Sequence, residues 1–409
     1  MSPRERILTT LRHKEPDKVP VDLGSAIVTG IMGIAYNQLK KYLGIKEGEI
    51  RVFDVVQQLA EVEELVLKRI EATVLPIYPG YPDGWKEGKL TDGTLCKVPR
   101  NFYPEILPDG SQIVREKGGY FGDNEEGLPT LKMPPGGFYF DFPYHPLQRA
   151  KKEEDIDNFN WGWKLEKKDL EDLRSRAKYL YENTEYALMG GGLWGGWGQI
   201  YEVLENLRGW DTFLMDLVTD QKFAEYMLDK RLEVVMRRFE QYLEVMGDYV
   251  QIITVGDDLG TQDGPQLSLE LYRKVVKPRQ KKLYQFIKER TDIFLFLHTC
   301  GSVYEFIPDF IEMGVDILNP VQVSAKNMDT KKLKKEFGKD IVFWGGGCDT
   351  QKVLPFGTPD DVREEVKRRI DDFAPGGGFV FCPVHNIQLN MPPENIMAMY
   401  ETVMEYGVY

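Results

Sequence analysis

The feature that most constrains the fold of this chain is a regular alternation of short apolar runs with longer helical segments. The candidate strands are residues 19–24, 72–78, 186–190, 249–255, 293–298, 315–319, 341–344 and 378–382. Most of these runs are continuously apolar, which is typical of strands buried on both faces of a parallel sheet. Eight such strands alternating with helices predict an α/β fold, a closed (β/α)8 TIM barrel.

The helical segments between the later strands support this prediction. They cover residues 268–290, 303–313, 331–337 and 359–373. Thr358 and Pro359 mark the start of the last one, because an N-cap residue followed by proline at the first helical position is a common helix start. A doubly wound open sheet is the alternative. No Gly-x-Gly-x-x-Gly motif opens a helix after the first strand, which favours the barrel.

One long segment, residues 86–145, interrupts the alternation and is rich in glycine, proline and aromatic side chains. The pairs Asp92-Gly93 and Asp109-Gly110 are turn signals within it. We therefore expect one barrel domain over residues 1–409, with an aromatic-rich β-hairpin insertion near the N-terminal third. The insertion could cover the site as a lid that excludes water, or bury its rings in a small core or a subunit interface. Its aromatic residues include Phe102, Tyr103, Tyr120, Phe121, Phe138, Tyr139, Phe140, Phe142 and Tyr144.

Composition and charge exclude several classes of protein. No apolar run approaches the roughly 18 residues of a transmembrane helix. The N-terminal segment is charged and lacks an apolar core, so we expect a cytoplasmic protein rather than a secreted one. The net charge of −13 argues against binding to nucleic acid or anionic membranes. The chain has four cysteines, which in a reducing compartment do not predict a disulfide framework.

Polar side chains follow the C-terminal ends of five predicted strands. The segments are 256–258, 298–300, 319–322, 344–349 and 382–388. In a barrel these ends meet at one mouth, where barrel enzymes have their active sites. We expect substrate-binding groups at this mouth, and the candidates are Trp344, Asn319, Gln322, His385 and Asn386. Trp194, Trp197 and Trp344 could stack on a flat substrate or simply pack at the barrel rim.

His298 and Cys300 are the strongest candidates for a metal site. They are two residues apart, so in an extended segment both side chains point to the same side. Cys382, at the end of the eighth strand, could reach across the mouth as a third ligand. One imidazole and two thiolates suit Zn²⁺, and three protein ligands with an open fourth position are typical of a catalytic zinc site.

Other assignments of these residues remain open. Cys348 is a spare candidate for the third ligand, and Asp349 with His385 forms a mixed alternative set. Without a metal, each cysteine would be a small buried apolar residue. Cys96, in the insertion, is predicted to have no function.

The adjacent residues Asp257 and Asp258 are candidate catalytic groups. Because they are neighbours on one strand end, we expect only one to face the cavity, as a general acid or base or as a group that orients the substrate. The alternative is a helix N-cap or a loop hydrogen bond. The glycines of residues 190–192 and 195–196 could cradle a phosphate, but more simply let the backbone approach the cavity, since no Lys-Ser/Thr follows them.

Several motifs resemble the uroporphyrinogen-decarboxylase-like superfamily. They are residues 4–8, 11–13, 15–17, 19–22, 298–301, 314–322, 343–346, 354–359 and 385–388, spread over nearly the whole chain outside the insertion. The decarboxylase itself carries an Arg-Gln-Ala-Gly-Arg-Tyr segment near its start that holds porphyrin carboxylates, and Asp22-Leu23-Gly24-Ser25 stands there instead. The resemblance is closer to the corrinoid-dependent methyltransferases, whose zinc-binding members carry a His-x-Cys…Cys pattern that His298, Cys300 and Cys382 match in order.

The resemblance implies an enzyme with Zn²⁺ as cofactor and a separate corrinoid protein as partner. The aromatic insertion is similar to that expected of O-demethylase methyltransferases, which move the methyl group of a methoxylated aromatic compound to Co(I). No Asp-x-His-x-x-Gly corrinoid-binding motif occurs here, so the cobalamin would come on the partner. A homo-oligomer is also expected.

Three alternative functions remain open at this stage. The first is a zinc methyltransferase for methylthiols, methylamines or methanol, or for a thiol acceptor. The second is a metal-free decarboxylase or lyase of the same fold, and the third is a binding barrel without chemistry.

Overall fold

A parallel sheet forms the centre of the protein. The computed structural model describes residues 1–78, 84–116, 122, 124, 126–162, 166–191 and 198–409. Seven parallel strands are hydrogen-bonded in sequence order, so each lies beside the next one along the chain. They are Val74–Ile77, Ala187–Gly190, Ile252–Gly256, Phe294–His298, Ile317–Asn319, Val342–Trp344 and Phe379–Val380.

The first predicted strand closes this sheet into a barrel. Val21 forms parallel bridges with Ala72 beside one edge strand and with Phe381 beside the other. The Val21 carbonyl accepts a hydrogen bond of 2.9 Å from the N–H of Thr73. Pro20 has no N–H to donate, which keeps this ladder short. The predicted (β/α)8 barrel is therefore confirmed, with its first strand reduced to a bridge.

Helices surround the barrel at the predicted places. The segment predicted for residues 359–373 is the helix Pro359–Phe373, and the Thr358 side chain caps it by accepting from the N–H of Asp361. The segment predicted for 268–290 is helical but contains the π-helical turn Tyr272–Val276. The remaining helices are Pro3–Leu11, Ile27–Thr29, Gly33–Tyr42, Glu64–Arg69, Glu153–Asp157, Lys167–Asn183, Tyr201–Arg208, Trp210–Thr219, Gln221–Met246, Leu269–Leu271, Lys277–Lys288, Tyr304–Phe306, Ile307–Glu312, Thr330–Phe337, Val353–Phe356 and Pro393–Tyr406. In the described part of the chain, none of them has the length and apolar character needed to cross a membrane.

The insertion contains the predicted hairpin and a second small sheet. The hairpin pairs Trp85–Lys89 with Leu95–Pro99, and the second sheet consists of Glu105–Ile106, Gln112–Val114 and Leu131–Met133. A further pair, Val52–Asp54 with Leu59–Ala60, precedes it.

The aromatic residues of the insertion take different positions. Phe140 is buried in a small core with Val114, Leu131 and Met133, as the alternative to a lid predicts. Tyr103 is exposed. Tyr139 lines a cavity at the barrel mouth. Tyr120 and Phe121 lie outside the described residues.

The barrel interior is filled by apolar side chains from the strands. Trp344 lies there with no exposed surface and packs edge to face against Phe296, with 5.5 Å between the ring centroids. Its indole N–H donates to the carboxylate of buried Asp22 at 2.9 Å. Trp344 thus takes the packing position that the sequence left open as an alternative to stacking on a substrate. Trp194 and Trp197 lie outside the described residues, as do Gly192, Gly195 and Gly196.

Candidate functional site

His298 is held in one orientation by the neighbouring strand end. It pairs with Asn319 in the register of their two parallel strands. The Asn319 side-chain nitrogen donates to the Trp344 carbonyl at 2.9 Å, so the Asn319 oxygen faces His298 Nδ1, 2.7 Å away. Nδ1 must then carry the imidazole proton, and Nε2 keeps its lone pair. This arrangement presents Nε2 as a metal ligand or proton acceptor.

Two further donor atoms lie beside His298 Nε2. Cys300 Sγ is 3.4 Å away and Asp258 Oδ1 is 3.7 Å away. The same Asp258 oxygen accepts from the N–H of Cys300 at 2.7 Å, which fixes the two side chains relative to each other. The three donor atoms all lie within 4.8 Å of one another. Among the described residues, this is the group of histidine, cysteine and acidic side chains that could hold a metal ion.

The two adjacent aspartates have different roles. Asp258 faces the mouth, whereas Asp257 is buried and accepts hydrogen bonds from the N–H groups of Ile200, Tyr201 and Glu202 at 3.1, 2.8 and 3.0 Å. Asp257 therefore caps the helix Tyr201–Arg208, as one of the two sequence alternatives predicts. Burial raises the pKa of Asp257 to about 6.

The other two candidate thiols lie outside this group. Cys382 is fully buried in the barrel interior, and Cys348 is fully buried in the large apolar core, near Glu365. Burial raises the pKa of both thiols well above the usual range. The structure thus brings His298 and Cys300 together with Asp258, and Cys382 as a third ligand stays a prediction.

A glycine, Gly345, lies between the Cys382 thiol and the Asn319 side chain. Gly345 has a φ of +92°, which L side chains rarely adopt. A Cβ at this position would lie 3.1 Å from Cys382 Sγ and 3.2 Å from the Asn319 side-chain nitrogen. Cys382 therefore lies close to the amide that orients His298.

The donor set fits a zinc ion. Imidazole nitrogen, thiolate sulfur and carboxylate oxygen are the three ligand types that zinc takes in proteins, and three of them leave a fourth position open. Burial and the nearby carboxylates of Asp258 and Glu202 raise the pKa of Cys300 well above its usual range. A cation bound here would offset this excess of negative charge and favour the thiolate.

A cavity of about 220 Å³ opens beside this group. It is lined by Tyr139, Cys300, Pro320, Gln322, Thr350, Gln351, Val384, His385, Asn386, Gln388 and Met391. Three of the predicted substrate-binding residues, Gln322, His385 and Asn386, are on its wall. Asn319 is not among the residues that line the cavity, and its side chain contacts His298 Nδ1 instead.

Hydrogen bonds at the mouth hold several residues in and beside this wall in place. The Gln322 side-chain oxygen accepts from the N–H of Gly301 at 2.7 Å. The Asn386 side-chain nitrogen donates to Gln57 at 2.6 Å. Asp349, from the mixed alternative ligand set, accepts from the N–H of Gln351 at 2.7 Å and so shapes the loop. A separate cavity of about 290 Å³, lined by residues such as Lys86 and Tyr103, lies in the insertion and contains none of the predicted site residues.

Glu202 is a site residue that the sequence analysis missed. It lies in the first turn of the helix that Asp257 caps, and its carboxylate accepts from the N–H of Asp258 at 3.2 Å. Burial, followed by the charge of Asp258, raises its pKa well above the usual range. Its position just after the glycine-rich segment that follows a barrel strand was the signal that could have identified it.

Comparisons with known proteins agree with this architecture. Residues 146–406 match the uroporphyrinogen decarboxylase (URO-D) family. The uroporphyrinogen decarboxylase of Psychromonas ingrahamii is 26% identical over 187 residues, 44% of this chain and 49% of that protein. That of Neisseria meningitidis serogroup C is 24% identical over 180 residues, 44% of this chain and 47% of that protein. The chain thus spans about half the length of the curated relatives it matches.

A solved structure shares the fold over the whole chain. A methyltransferase from Methanosarcina mazei superposes with a TM-score of 0.56 at 16% identity, covering 99% of both chains. At this identity the likeness concerns the fold. Because the family match covers well over half of the chain, the protein belongs to the uroporphyrinogen decarboxylase (URO-D) family.

Proposed function

We propose that the protein is a zinc-dependent methyltransferase, which moves the methyl group of a methoxylated aromatic compound to the Co(I) of a separate corrinoid protein. The observation that carries this proposal is the group of Asp258, His298 and Cys300, whose donor atoms lie within 4.8 Å of one another beside the mouth cavity. The shared fold with a protein described as a methyltransferase is consistent with it.

The group of Asp258, His298 and Cys300 supports the Lewis-acid part of the proposed reaction. These three residues would hold a zinc ion, which would supply a Lewis acid for the ether oxygen and the departing phenolate. Asn319 holds the His298 ring, while Asp258 fixes the backbone at Cys300. In the reaction the bond between methyl carbon and oxygen breaks, the methyl group goes to cobalt, and the electron pair of the bond leaves with the phenolate.

The size of the cavity favours a small substrate. Its volume of about 220 Å³ lies below the roughly 300–1,000 Å³ of pockets that bind drug-sized ligands, and it suits a molecule with one ring. A tetrapyrrole is far larger. The mouth therefore supports a one-ring methyl ether better than the porphyrinogen on which the related decarboxylases act.

The likeness to named decarboxylases favours one second candidate. It is a metal-free decarboxylase or lyase of the same fold, in which the thiols would be structural. This candidate predicts that purified protein binds no zinc and that substitution of Cys300 leaves its activity unchanged.

The test is methyl transfer to reduced cobalamin or to a corrinoid protein, followed by the absorbance change as Co(I) becomes methyl-Co(III). The donors are methoxyphenols, methoxylated benzoic acid derivatives, methanol, methylamines and methylthiols. We expect turnover of an aryl methyl ether that is lost in Cys300→Ser and kept in Cys348→Ser, the control, whose thiol is buried outside the group of Asp258, His298 and Cys300. Cys382→Ser, assayed beside them, tests the predicted third ligand.

The other outcomes of this test are also informative. Turnover of another donor, such as a methylthiol, would keep the zinc chemistry and change the substrate. Silence with all donors, from folded and zinc-loaded protein, would reject methyl transfer in favour of the lyase.

A further inference from the structure

The wall of the mouth cavity is polar but carries no charged side chain of the Lys, Arg, Asp or Glu type among its described residues. Its polar groups are amides, hydroxyls and one imidazole, contributed by Gln322, Gln351, Asn386, Gln388, Thr350, Tyr139 and His385. A ligand in this cavity would therefore meet hydrogen-bonding groups and no fixed cation on the wall.

Two acidic side chains lie near this wall. Asp258 lies 3.7 Å from His298, and the Glu202 carboxylate accepts from the Asp258 backbone at 3.2 Å. With a divalent metal bound, the carboxylate of Asp258 and the thiolate of Cys300 would together cancel its two positive charges and leave no net positive charge. A carboxylate on the substrate ring, away from the metal, would then be desolvated without a cationic side chain as partner on the described wall, which is unfavourable.

One wall residue offers a donor to a neutral ligand. The Gln322 oxygen is engaged by the N–H of Gly301, so the other end of the amide is its NH₂ group. Among the described residues this nitrogen has no hydrogen-bond partner. It could donate to a phenol, ether or carboxamide oxygen. Burial lowers the pKa of His385, which disfavours the charged form of this imidazole.

We propose that the mouth selects aryl methyl ethers whose ring carries neutral hydrogen-bonding substituents, such as hydroxyl or carboxamide, and discriminates against ring carboxylates. The methyl-ether part of this statement rests on the proposed function. The charge preference concerns binding, and it can be measured without turnover.

The test uses two ligands of nearly equal shape, 4-methoxybenzamide and 4-methoxybenzoate. Dissociation constants for the zinc-loaded protein would be measured by calorimetry at neutral pH and moderate ionic strength. We expect the amide to bind at least tenfold more tightly than the carboxylate. Equal affinities, tighter binding of the carboxylate, or no binding of either ligand would overturn the proposal.

A pair of matched variants tests the physical cause. Gln351 is exposed at the cavity edge, and its side chain takes no part in the group around His298. Gln351→Lys places a cation there and should reduce the preference for the amide by at least threefold, whereas Gln351→Glu should increase it. A preference that does not respond to either variant would show that charge on the wall is not its cause.

The same ligands separate this proposal from the proposed function. If the amide binds preferentially but no methyl group is transferred, the selectivity stands and the methyltransferase assignment fails. If 4-methoxybenzoate is the better methyl donor by kcat/KM, the methyltransferase assignment stands and the selectivity is wrong.

Discussion

The hydrogen bond between Asn319 and His298 gives a prediction about metal affinity. Asn319 is buried, and its two side-chain atoms connect the His298 ring to the Trp344 carbonyl. In Asn319→Ala the ring loses the acceptor that fixes its tautomer and orientation. The ring can then rotate, and Nε2 is no longer held facing Cys300 and Asp258.

The expected magnitude follows from these two hydrogen bonds. Loss of a partner that orients a metal-binding histidine typically costs 10–100-fold in metal affinity, or about 1.4–2.8 kcal/mol. The Trp344 carbonyl is also left without its donor, which costs about 1–3 kcal/mol of folding stability when the group is buried. Asn319→Ala should therefore weaken both zinc binding and folding.

The assay needs a control that separates these two effects. Asn395 is equally buried, and its side-chain nitrogen donates to the carbonyls of Leu354 and Gly357 at 2.9 and 2.8 Å, away from the mouth. Zinc affinity would be measured by competition with a chromogenic chelator, and stability by urea unfolding of the zinc-free proteins. Asn395→Ala should lose stability and keep zinc affinity. If Asn319→Ala also keeps zinc affinity to within twofold, the orienting role assigned to Asn319 is wrong.

Three further predictions concern the same end of the barrel. Burial raises the pKa of Glu205 from its usual 4.5 to about 8, so the folded protein holds a proton that the unfolded chain has released, and stability falls as pH rises between these values. Between pH 5 and 8 the free energy of unfolding of Glu205→Gln should fall by on the order of 2–4 kcal/mol less than that of the wild type. An equal fall in both proteins, measured by urea unfolding, would contradict this prediction. Asp257→Ala should lower the free energy of unfolding by about 2 kcal/mol through loss of the helix cap, and an unchanged urea midpoint would argue against that role. Zinc measured by elemental analysis should be lost from Cys300→Ser and kept in Cys348→Ser, and equal zinc contents would exclude Cys300 as a ligand.

Most of the barrel could be predicted from the sequence because buried parallel strands leave a strong pattern. Each predicted apolar run overlaps an observed strand or bridge, and the helix predicted at 359–373 has the observed bounds. The second small sheet of the insertion was not predicted. Its strands Glu105–Ile106 and Gln112–Val114 have two and three residues, too few for an alternation of apolar and polar positions to be recognised.

The site could be predicted only in part, because the sequence indicates which residues lie at strand ends and not how far apart they are. His298 and Cys300 meet as predicted from their spacing. The roles of Asp257 and Asp258 could not be separated, since the helix that Asp257 caps becomes its neighbour only through the fold. Glu202 was missed for the same reason: its carboxylate meets Asp258 across 56 residues of sequence.

The order of the strands explains which donors meet without a metal. Asp258, His298 and Asn319 follow or end three consecutive strands of the sheet, so each lies about 4.8 Å from the next in the hydrogen-bonding direction. Cys382 follows a strand three places from that of His298, about 14 Å along the curved sheet. The three neighbouring positions can therefore be fixed by backbone pairing alone, whereas Cys382 follows a strand that pairs with none of these three, and its thiol borders the Asn319 amide across Gly345. If zinc affinity depends on Cys382 as strongly as on Cys300, we expect binding of the metal to shift this buried thiol towards the group. A change in the near-ultraviolet signal of Trp344, which lies in the same interior, should then accompany zinc binding in the wild type and disappear in Cys382→Ser.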